Sequence, residues 1–349
     1  MRLWIVGGAG VLGLVAALAA GCGGSNGQTG FTVPDGGSTG SSGGSTSGSG
    51  SSGGSGGTSS SGSFGSSGSG GSSSGSSNGP PLIYAHTDSE LYSMDPTTHA
   101  VTDIGPFATT SGSTPTITDL AVDGNDDVWV NSESAIYKAT LPASGTGSVA
   151  LALQTQLPSS TKFYALGFAP AGMLGSGESL IAGDSAGSLY FVDVSTSSST
   201  PVNLGSFGQA PGGGTYELSG DVVFYSLNGS PRGLATVRSC TSSCSTSNDY
   251  LAEIDIAALQ TAYQNKTPAA SLLKQMIGSG TGYGRLFGVG AWGNAVYAFA
   301  REGSNGNPPA QLVEIQSSGA GSSLQTFANI TSGWSGAGVT TKAQISVLQ

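Results

Sequence analysis

A short β-prone pattern that recurs five times constrains the fold of this chain more than any other feature. Each copy begins with two apolar residues, continues with alternating side-chain character and ends at an acidic or polar residue. The copies read LYSMD at Leu91–Asp95, IYKAT at Ile136–Thr140, LYFVD at Leu189–Asp193, LAEID at Leu251–Asp255 and LVEIQ at Leu312–Gln316. Their first residues lie 45, 53, 62 and 61 positions apart, at or above the spacing of about 40–50 residues seen in repeats that each form a small sheet. The period-two alternation predicts a strand for every copy.

Further strands accompany each copy. A more apolar strand precedes it across a segment rich in Gly, Ser, Asp or Asn, as hairpins require. A candidate outer strand follows it, and small-residue inner strands begin near residues 120, 165, 220, 286 and 334. The inner strand at Trp334–Val339 lies late in the chain, whereas the first unit, which begins at Leu82, has no inner strand before it. We therefore expect the C-terminal strand to complete the first unit.

This arrangement predicts an all-β protein, a β-propeller of five four-stranded blades closed by the C-terminal strand, so that no edge is left loose. Four or six blades and a β-sandwich are the alternatives. One stretch departs from the β pattern, because Ile256, Leu259 and Tyr263 are apolar at helical spacing and Asp255 stands at the N-cap position. It predicts a short helix over 256–265, inserted in blade four.

A segment of very different composition precedes the blades. Residues 23–79 contain 22 Gly and 22 Ser, no Lys or Arg, and one charged residue, Asp35. Such a segment buries too little apolar surface to offset chain entropy, so we expect a disordered linker with a root-mean-square span of about 40 Å. The predicted domains are a signal peptide at 1–21, a lipidated cysteine with its linker at 22–79, and a β-propeller at 80–349.

The N-terminus has the layout of a secretory signal peptide, with Arg2, an apolar or glycine stretch over Leu3–Ala20, and small residues before Cys22. It resembles the signal of bacterial lipoproteins, in which the peptide is cut before a cysteine that then carries lipid. The resemblance implies lipid on Cys22 and, because Gly23 rather than Asp follows, passage to the outer membrane or cell surface. The chain departs from that family at Ala19, where Leu is usual. Ordinary secretion with an incidental cysteine is one alternative, and an uncleaved membrane helix of about 18 residues is another.

Charge and composition narrow the expected partners. The formal net charge is −10 and charged residues make up 9% of the chain, against roughly 25% in average proteins, which favours a location outside the cytoplasm. With no Lys/Arg cluster to contact phosphates, we expect no nucleic-acid binding. We expect no cofactor and a monomer whose partners are a membrane, through the lipid, and a protein or glycan ligand.

The two remaining cysteines, Cys240 and Cys244, lie four residues apart in the loop SCTSSC. Outside the cytoplasm, two nearby cysteines in a flexible loop usually pair, so we predict a local disulfide. Metal binding is the alternative, but neither a second CxxC nor a His pair lies near them in the sequence.

The stretch VDGNDDVW at 122–129 offers a candidate calcium loop through Asp123, Asp126 and Asp127. A β-turn built on Asp123, Gly124 and Asn125 explains the same residues. The stretch also resembles the D-G-x-x-W hairpins of streptogramin-lyase-like and sensor propellers, which implies a propeller. It does not imply lyase activity, because those lyases need a histidine late in the chain and the last one here is His99.

Two further carboxylates, Asp119 and Asp221, align at the starts of inner strands, a position that faces one mouth of a propeller channel. Five-bladed glycosidases use three acids in that funnel, and paired carboxylates hydrolyse glycosides as acid and as base or nucleophile. Glu217 is the nearest candidate for the third acid. The alternative is that these Asp side chains cap backbone N–H groups of the adjacent blade.

Three stretches, GVGAWGNAVYAFAREG, SGDVVFY and WSGAGVTTKA, resemble surface lipoproteins of the myxobacterial kind. The resemblance implies a lipobox, a Ser/Gly spacer and a propeller-like domain; that family has no assigned activity. We therefore expect a surface-tethered, non-enzymatic lipoprotein whose β-propeller binds a protein or glycan. An extracytoplasmic glycan-cleaving hydrolase with carboxylates at the funnel is the alternative, and a purely structural envelope component is a third class.

Overall fold

The computed structural model describes residues 82–110, 113–241, 243–245, 248–302, 309–343 and 345. The predicted signal peptide at 1–21, Cys22 and the linker at 22–79 lie outside these residues. The described part is built from β-strands, which pair antiparallel except where β3 meets β7, and one helix.

The strands follow one another in five groups along the chain. The first group contains β1 Ile83–His86, β2 Glu90–Met94 and β3 Val101–Thr109. The second contains β4 Asp119–Val122, β5 Val128–Ser132, β6 Ala135–Thr140 and β7 Val149–Gln156. The third contains β8 Phe163–Ala169, β9 Ser179–Asp184, β10 Ser188–Val192 and β11 Val202–Ser206.

The fourth group contains β12 Gln209–Ala210, β13 Gly214–Leu227, β14 Ser230–Cys240, β15 Tyr250–Ile254 and, after the helix, β16 Leu273–Ile277. The last strands are β17 Leu286–Trp292, β18 Ala295–Ala300, β19 Ala310–Ile315, β20 Gly321–Phe327 and β21 Gly336–Val339. Strand β12 is an addition that the repeat did not predict, a two-residue strand paired with the start of β13.

Each group is an antiparallel meander, and β21 supplies the inner strand of the first one. Strand β21 pairs antiparallel with β1, so that Ile83 lies opposite Val339 and His86 lies opposite Gly336. The five innermost strands β4, β8, β13, β17 and β21 contact one another in that cyclic order and close a ring. The prediction of five blades closed by the C-terminal strand is therefore confirmed.

The inner strands can approach one another closely because they carry small residues. A β-carbon on Gly220 of β13 would stand 2.3 Å from the Cα of Phe287 on β17. Only a residue without a β-carbon leaves room for two backbones at that distance. The inner residues therefore come from the small-residue stretches, as the sequence predicted.

Blades 1 and 2 are joined at their outer edges in a way the repeat did not indicate. Strand β3 pairs parallel with β7, with Phe107 opposite Val149, and this pairing merges the two blades into one eight-stranded sheet. An outer strand of a propeller blade is an exposed edge that invites pairing with another chain. Here two such edges cover one another over three residue pairs.

Apolar side chains fill the space between neighbouring blades. The clearest case is Trp334, which is fully buried where blade 5 meets blade 1. Its ring meets those of Tyr92, Phe299 and Phe327 edge to face, with centroids 5.2, 5.4 and 5.3 Å away. Edge-to-face geometry is favourable beyond the buried area, because the ring edges are positive and the faces negative. Trp334 thus holds the closing strand in place.

The helix α1 spans Ile256–Asn265 between β15 and β16, as predicted. The Asp255 side chain caps its start by accepting a hydrogen bond from the Ala258 N–H at 3.0 Å. The helix ends at Lys266, whose left-handed backbone lets its N–H bond to the Ala262 carbonyl. Leu259 is fully buried against blades 3 and 4. Among the described residues no helix has the length and hydropathy needed to cross a membrane.

Candidate functional site

A cavity of about 380 Å³ lies at the centre of the propeller, on the face where the inner strands begin. Every blade contributes to its wall in two places. The segments that enter the inner strands contribute Thr118, Tyr164, Gly220, Phe287 and Ser335. The ends of the second strands, or the hairpins after them, contribute Asp88, Glu133, Ser185, Arg238 and Arg301. We call this cavity the funnel.

Charge is unevenly distributed around the funnel. The acids Asp88 and Glu133 belong to blades 1 and 2, whereas Arg238 and Arg301 belong to blades 4 and 5. The chain has ten Lys and Arg residues in all, so the presence of two arginines in one cavity is a concentration of scarce positive charge. The funnel therefore has an acidic side and a basic side.

On the acidic side, Glu133 is engaged with neighbours on its own rim. Lys162 lies 2.7 Å from its Oε2 atom, and the Tyr164 hydroxyl donates a hydrogen bond to its Oε1 atom at 2.9 Å. The ammonium group of Lys162 holds the pKa of this carboxyl below its usual range. Because Lys162 and Glu133 are exposed, their pairing orients the Tyr164 ring more than it stabilises the fold.

Arg301 lies over the aromatic ring of Phe287, with 5.8 Å between the guanidinium carbon and the ring centroid. Its Nη1 atom is 3.7 Å from an Asp88 oxygen and donates a hydrogen bond at 3.4 Å to the Ser335 hydroxyl. The same hydroxyl donates to Asp88. This group spans the junction of blades 5 and 1 and remains partly open to solvent.

Arg238 is the more enclosed of the two arginines. Its Nη2 atom lies 4.0 Å from Glu217 Oε2, which is beyond hydrogen-bond distance, and its Nε atom is buried without a hydrogen-bond partner. Asp249 is close enough for Arg238 to lower the pKa of its carboxyl, although burial dominates and raises that pKa to about 6. Asp249 in turn accepts hydrogen bonds from the Ser219 hydroxyl and, at 2.8 Å, from the Leu286 N–H.

The predicted funnel acids Asp119 and Asp221 lie beneath the cavity and are fully buried. Asp119 accepts hydrogen bonds from its neighbour Leu120 at 2.8 Å and from Leu166 of blade 3 at 2.7 Å. Asp221 likewise accepts from Val222 at 2.6 Å and from Val289 of blade 5 at 2.8 Å. These are the hydrogen bonds of the capping alternative, in which each side chain ties its inner strand to the next.

The two carboxyl groups also meet each other at the axis, close enough to hydrogen-bond. Burial is the main cause of a raised pKa at both Asp119 and Asp221, and the second carboxyl raises the pKa of Asp119 further. Burial therefore disfavours the ionised form of both groups, and the neighbouring carboxyl adds to this effect at Asp119.

His86 borders the same buried layer. Its Nδ1 donates a hydrogen bond at 2.6 Å to the Thr87 carbonyl, while its Nε2 is buried without a partner. A β-carbon on Gly336 would stand 2.4 Å from this Nε2 and 2.1 Å from Asp119 Oδ1, so both atoms border one small space. Burial lowers the pKa of His86 to about 4, and the ring is neutral at physiological pH. No motif in the sequence singles out this histidine.

Glu217 does not join the two axial acids. It lies on β13 beside Cys240 and Cys244, which form the predicted disulfide, and its Oε2 atom is 3.1 Å from Cys244 Sγ. Within the described part of the chain, these three residues are the one group of three potential metal-ligating side chains whose ligand atoms lie within 4.8 Å of one another. Both sulfurs are consumed by the disulfide, so this group is not a metal site.

The three carboxylates of the candidate calcium loop are turned toward different partners. Asp123 accepts backbone hydrogen bonds from Asn125 at 2.8 Å and Asp127 at 3.1 Å, and one from the Trp129 indole at 3.1 Å. Asp127 pairs with Lys138 at 2.6 Å, and Asp126 is exposed with a positive φ of 64°. The geometry is that of the β-turn alternative, closed by the tryptophan of the hairpin.

Comparisons with known proteins give only remote likenesses. No family model matches the chain, and no curated protein matches it. A protein of unknown function from Bacteroides caccae is similar at 9% identity, over 75% of this chain and 99% of that one, with a TM-score of 0.38. A structure of the nidogen/laminin complex is similar at 10% identity, over 76% of this chain and 99% of that one, with a TM-score of 0.41. The Dos1 propeller is similar at 16% identity, over 71% of this chain and 55% of that one, with a TM-score of 0.31. The five blades rest on the strand pairings described above.

Proposed function

We propose that this chain is a surface-tethered, non-enzymatic protein whose funnel binds part of a protein or glycan partner. The observation that carries the proposal is the funnel itself, a cavity of about 380 Å³ to which all five blades contribute polar or aromatic side chains. A volume of that size is typical of sites that enclose small ligands or the tips of larger ones. The ring of inner strands beneath it gives the wall a rigid support.

A binding role is favoured over glycan hydrolysis by the surroundings of the carboxyl groups. Hydrolysis needs two carboxyl groups that flank a substrate bond, about 5–10 Å apart. Asp119 and Asp221 are fully buried, and both oxygens of each already accept backbone N–H groups. Neither is exposed to a substrate in the funnel.

The tether is proposed from the sequence. Lipid on Cys22 would hold the protein at the outer membrane or cell surface, and residues 23–79 would act as a spacer of about 40 Å between the membrane and the blades. Fatty-acid labelling of wild-type and Cys22→Ser cells tests this part: we expect the label to be lost in the variant, and equal labelling of both would remove the lipoprotein interpretation.

Filling the funnel tests the binding proposal. Ser185 is exposed on the funnel wall and Ser148 is exposed on the outer edge of blade 2, so Ser185→Trp and Ser148→Trp add the same side chain in different places. We expect proximity labelling on intact cells to lose a set of partners in Ser185→Trp and to keep it in Ser148→Trp. An unchanged set in both variants would contradict the proposal and favour a purely structural protein.

A further inference from the structure

We propose that the funnel recognises an acidic sugar, a monosaccharide unit that bears one carboxylate, through Arg238 and Arg301. The inference rests on the proposed function and names the chemistry of the ligand. It assigns the carboxylate to the basic side of the funnel, formed by blades 4 and 5, and the sugar hydroxyls to the rest of the wall.

Arg238 is the principal anchor for the carboxylate because its hydrogen-bonding capacity is not used within the described part of the protein. A guanidinium carries five N–H donors in a planar fork that matches a carboxylate. The Glu217 carboxylate is 4.0 Å from one terminal nitrogen, and the Nε atom has no partner. The side chain is 22% exposed, so a ligand that replaces the remaining water would form a charge-assisted hydrogen bond in a partly dry site.

Arg301 extends the basic side into blade 5. Its contact with Asp88 is loose, at 3.7 Å with both side chains partly exposed, and pairs of this kind contribute little by themselves. The guanidinium also lies over the Phe287 ring, with 5.8 Å between its carbon and the ring centroid, and this contact is favourable for a cation. A ligand carboxylate would therefore compete with Asp88 for Arg301 at small cost.

The remainder of the wall suits a ring with several hydroxyl groups. Sugar hydroxyls donate to carboxylates and accept from hydroxyl donors. The funnel wall offers Asp88, beside Arg301, and Glu133 of blade 2 as acceptors, and Ser185 of blade 3 as a hydroxyl donor. Tyr164 supplies an aromatic ring on the same wall for the apolar face of a sugar ring. A sugar unit brings several hydroxyl donors to these acceptors on one compact ring.

Charge limits the ligand to a single carboxylate at the site. The protein has a formal net charge of −10, which repels a dense polyanion at long range. A sugar unit with one carboxylate and an uncharged body satisfies the arginines and leaves Asp88 and Glu133 to accept hydroxyl hydrogens. The cavity volume of about 380 Å³ accommodates one or two such units.

The test is calorimetric titration of the full-length chain with glucuronic, galacturonic and N-acetylneuraminic acids, and with glucose and galactose as uncharged counterparts. We expect at least one sugar acid to bind at least tenfold more tightly than its uncharged counterpart. Arg238→Gln should weaken that binding about tenfold or more, as expected for a hydrogen bond to a charged group, and Arg301→Gln should weaken it severalfold. Arg232→Gln is the matched control, since Arg232 also lies on β14 but pairs with Glu253 away from the funnel.

Several outcomes would overturn the inference. They are equal binding of sugar acids and uncharged sugars, equal loss in Arg238→Gln and Arg232→Gln, or equally tight binding of N-acetylglutamate α-amide, a peptide-like compound that keeps one side-chain carboxylate. Thermal unfolding of each variant checks folding, and Arg238→Lys, which keeps the charge but not the fork, should show intermediate affinity if Arg238→Gln does not fold. If no sugar acid binds while Ser185→Trp still loses its partners, the inference fails and the proposed function stands. If no sugar acid binds and Ser185→Trp also loses no partners, both fail.

Discussion

The funnel and the buried layer beneath it carry similar polar groups in opposite situations. Thr118 lines the cavity while the next residue, Asp119, is fully buried; Gly220 and Asp221 repeat the relation in blade 4. In the buried layer both oxygens of each carboxyl accept backbone N–H groups. In the funnel, Arg238 keeps donors without protein partners. The oxygens of the two buried carboxyl groups are thus occupied by N–H groups that tie the inner strands together, whereas Arg238 on the funnel wall has no hydrogen-bond acceptor among the described residues.

The largest effect is expected when a buried carboxyl is removed. Asp221→Ala leaves the N–H groups of Val222 and Val289 buried without acceptors. Each such group costs about 1–3 kcal/mol, so the two together should lower the free energy of unfolding by about 2–6 kcal/mol in urea denaturation. Asp103→Ala, at an exposed position on β3, is the control and should change stability little. Equal losses in the two variants would show that the buried layer does not stabilise the ring.

A smaller loss is expected when the buried layer is crowded. A β-carbon at Gly336 would stand 2.1 Å from Asp119 Oδ1 and 2.4 Å from His86 Nε2, whereas Gly175 has open space around the same position. Gly336→Ala should therefore cost about 1–3 kcal/mol through overpacking, and Gly175→Ala should be nearly neutral. Matching thermal unfolding curves for the two variants would mean that the space beside His86 adapts freely.

The smallest effect concerns Asp249, which connects the two layers through Ser219 and Arg238. Burial raises its pKa from 3.8 to about 6, so between these values the folded state binds more protons than the unfolded state. Stability must then fall as pH rises from 4 to 6. In the Asp249→Asn variant, the amide oxygen can still accept hydrogen bonds from the Ser219 hydroxyl and the Leu286 N–H, but the side chain does not titrate.

We therefore expect wild type to lose of order 1–2 kcal/mol more than Asp249→Asn between pH 4 and pH 7, since one pKa unit corresponds to about 1.4 kcal/mol. The lowered pKa of His86 acts with the opposite sign over this range, because the unfolded state takes up its proton first. His86, Asp119 and Asp221 are common to both proteins, so the difference isolates Asp249. Parallel stability curves would contradict the assignment.

The sequence could predict those features that depend on local patterns. Period-two alternation located the blade strands, Asp255 marked the start of the helix, and the spacing of Cys240 and Cys244 indicated their disulfide. The return of Trp334–Val339 to blade 1 followed from counting inner strands, because one unit lacked its own.

The composition of the funnel could not be predicted in the same way. Arg238 and Arg301 belong to no shared motif, and their meeting depends on how adjacent blades pack around the axis. A shift in strand register between Leu218 and Val222 carries Gly220 to the cavity wall and Asp221 below it, and alternation alone does not reveal such a shift. The parallel pairing of β3 with β7 had no sequence signal either.

Closure of the ring by β21 has a consequence for when the funnel comes into existence. Blades 2 to 5 pair strands that are neighbours in the chain, whereas blade 1 must bring Val339 back to Ile83. Contacts between such distant positions form slowly, because closing the long loop between them costs chain entropy before the contacts contribute any favourable free energy. We expect the local meanders to fold first and the ring to close last. Since every blade contributes to the funnel wall, the complete funnel then forms in one step when the ring closes, and a partly synthesised chain has no such site.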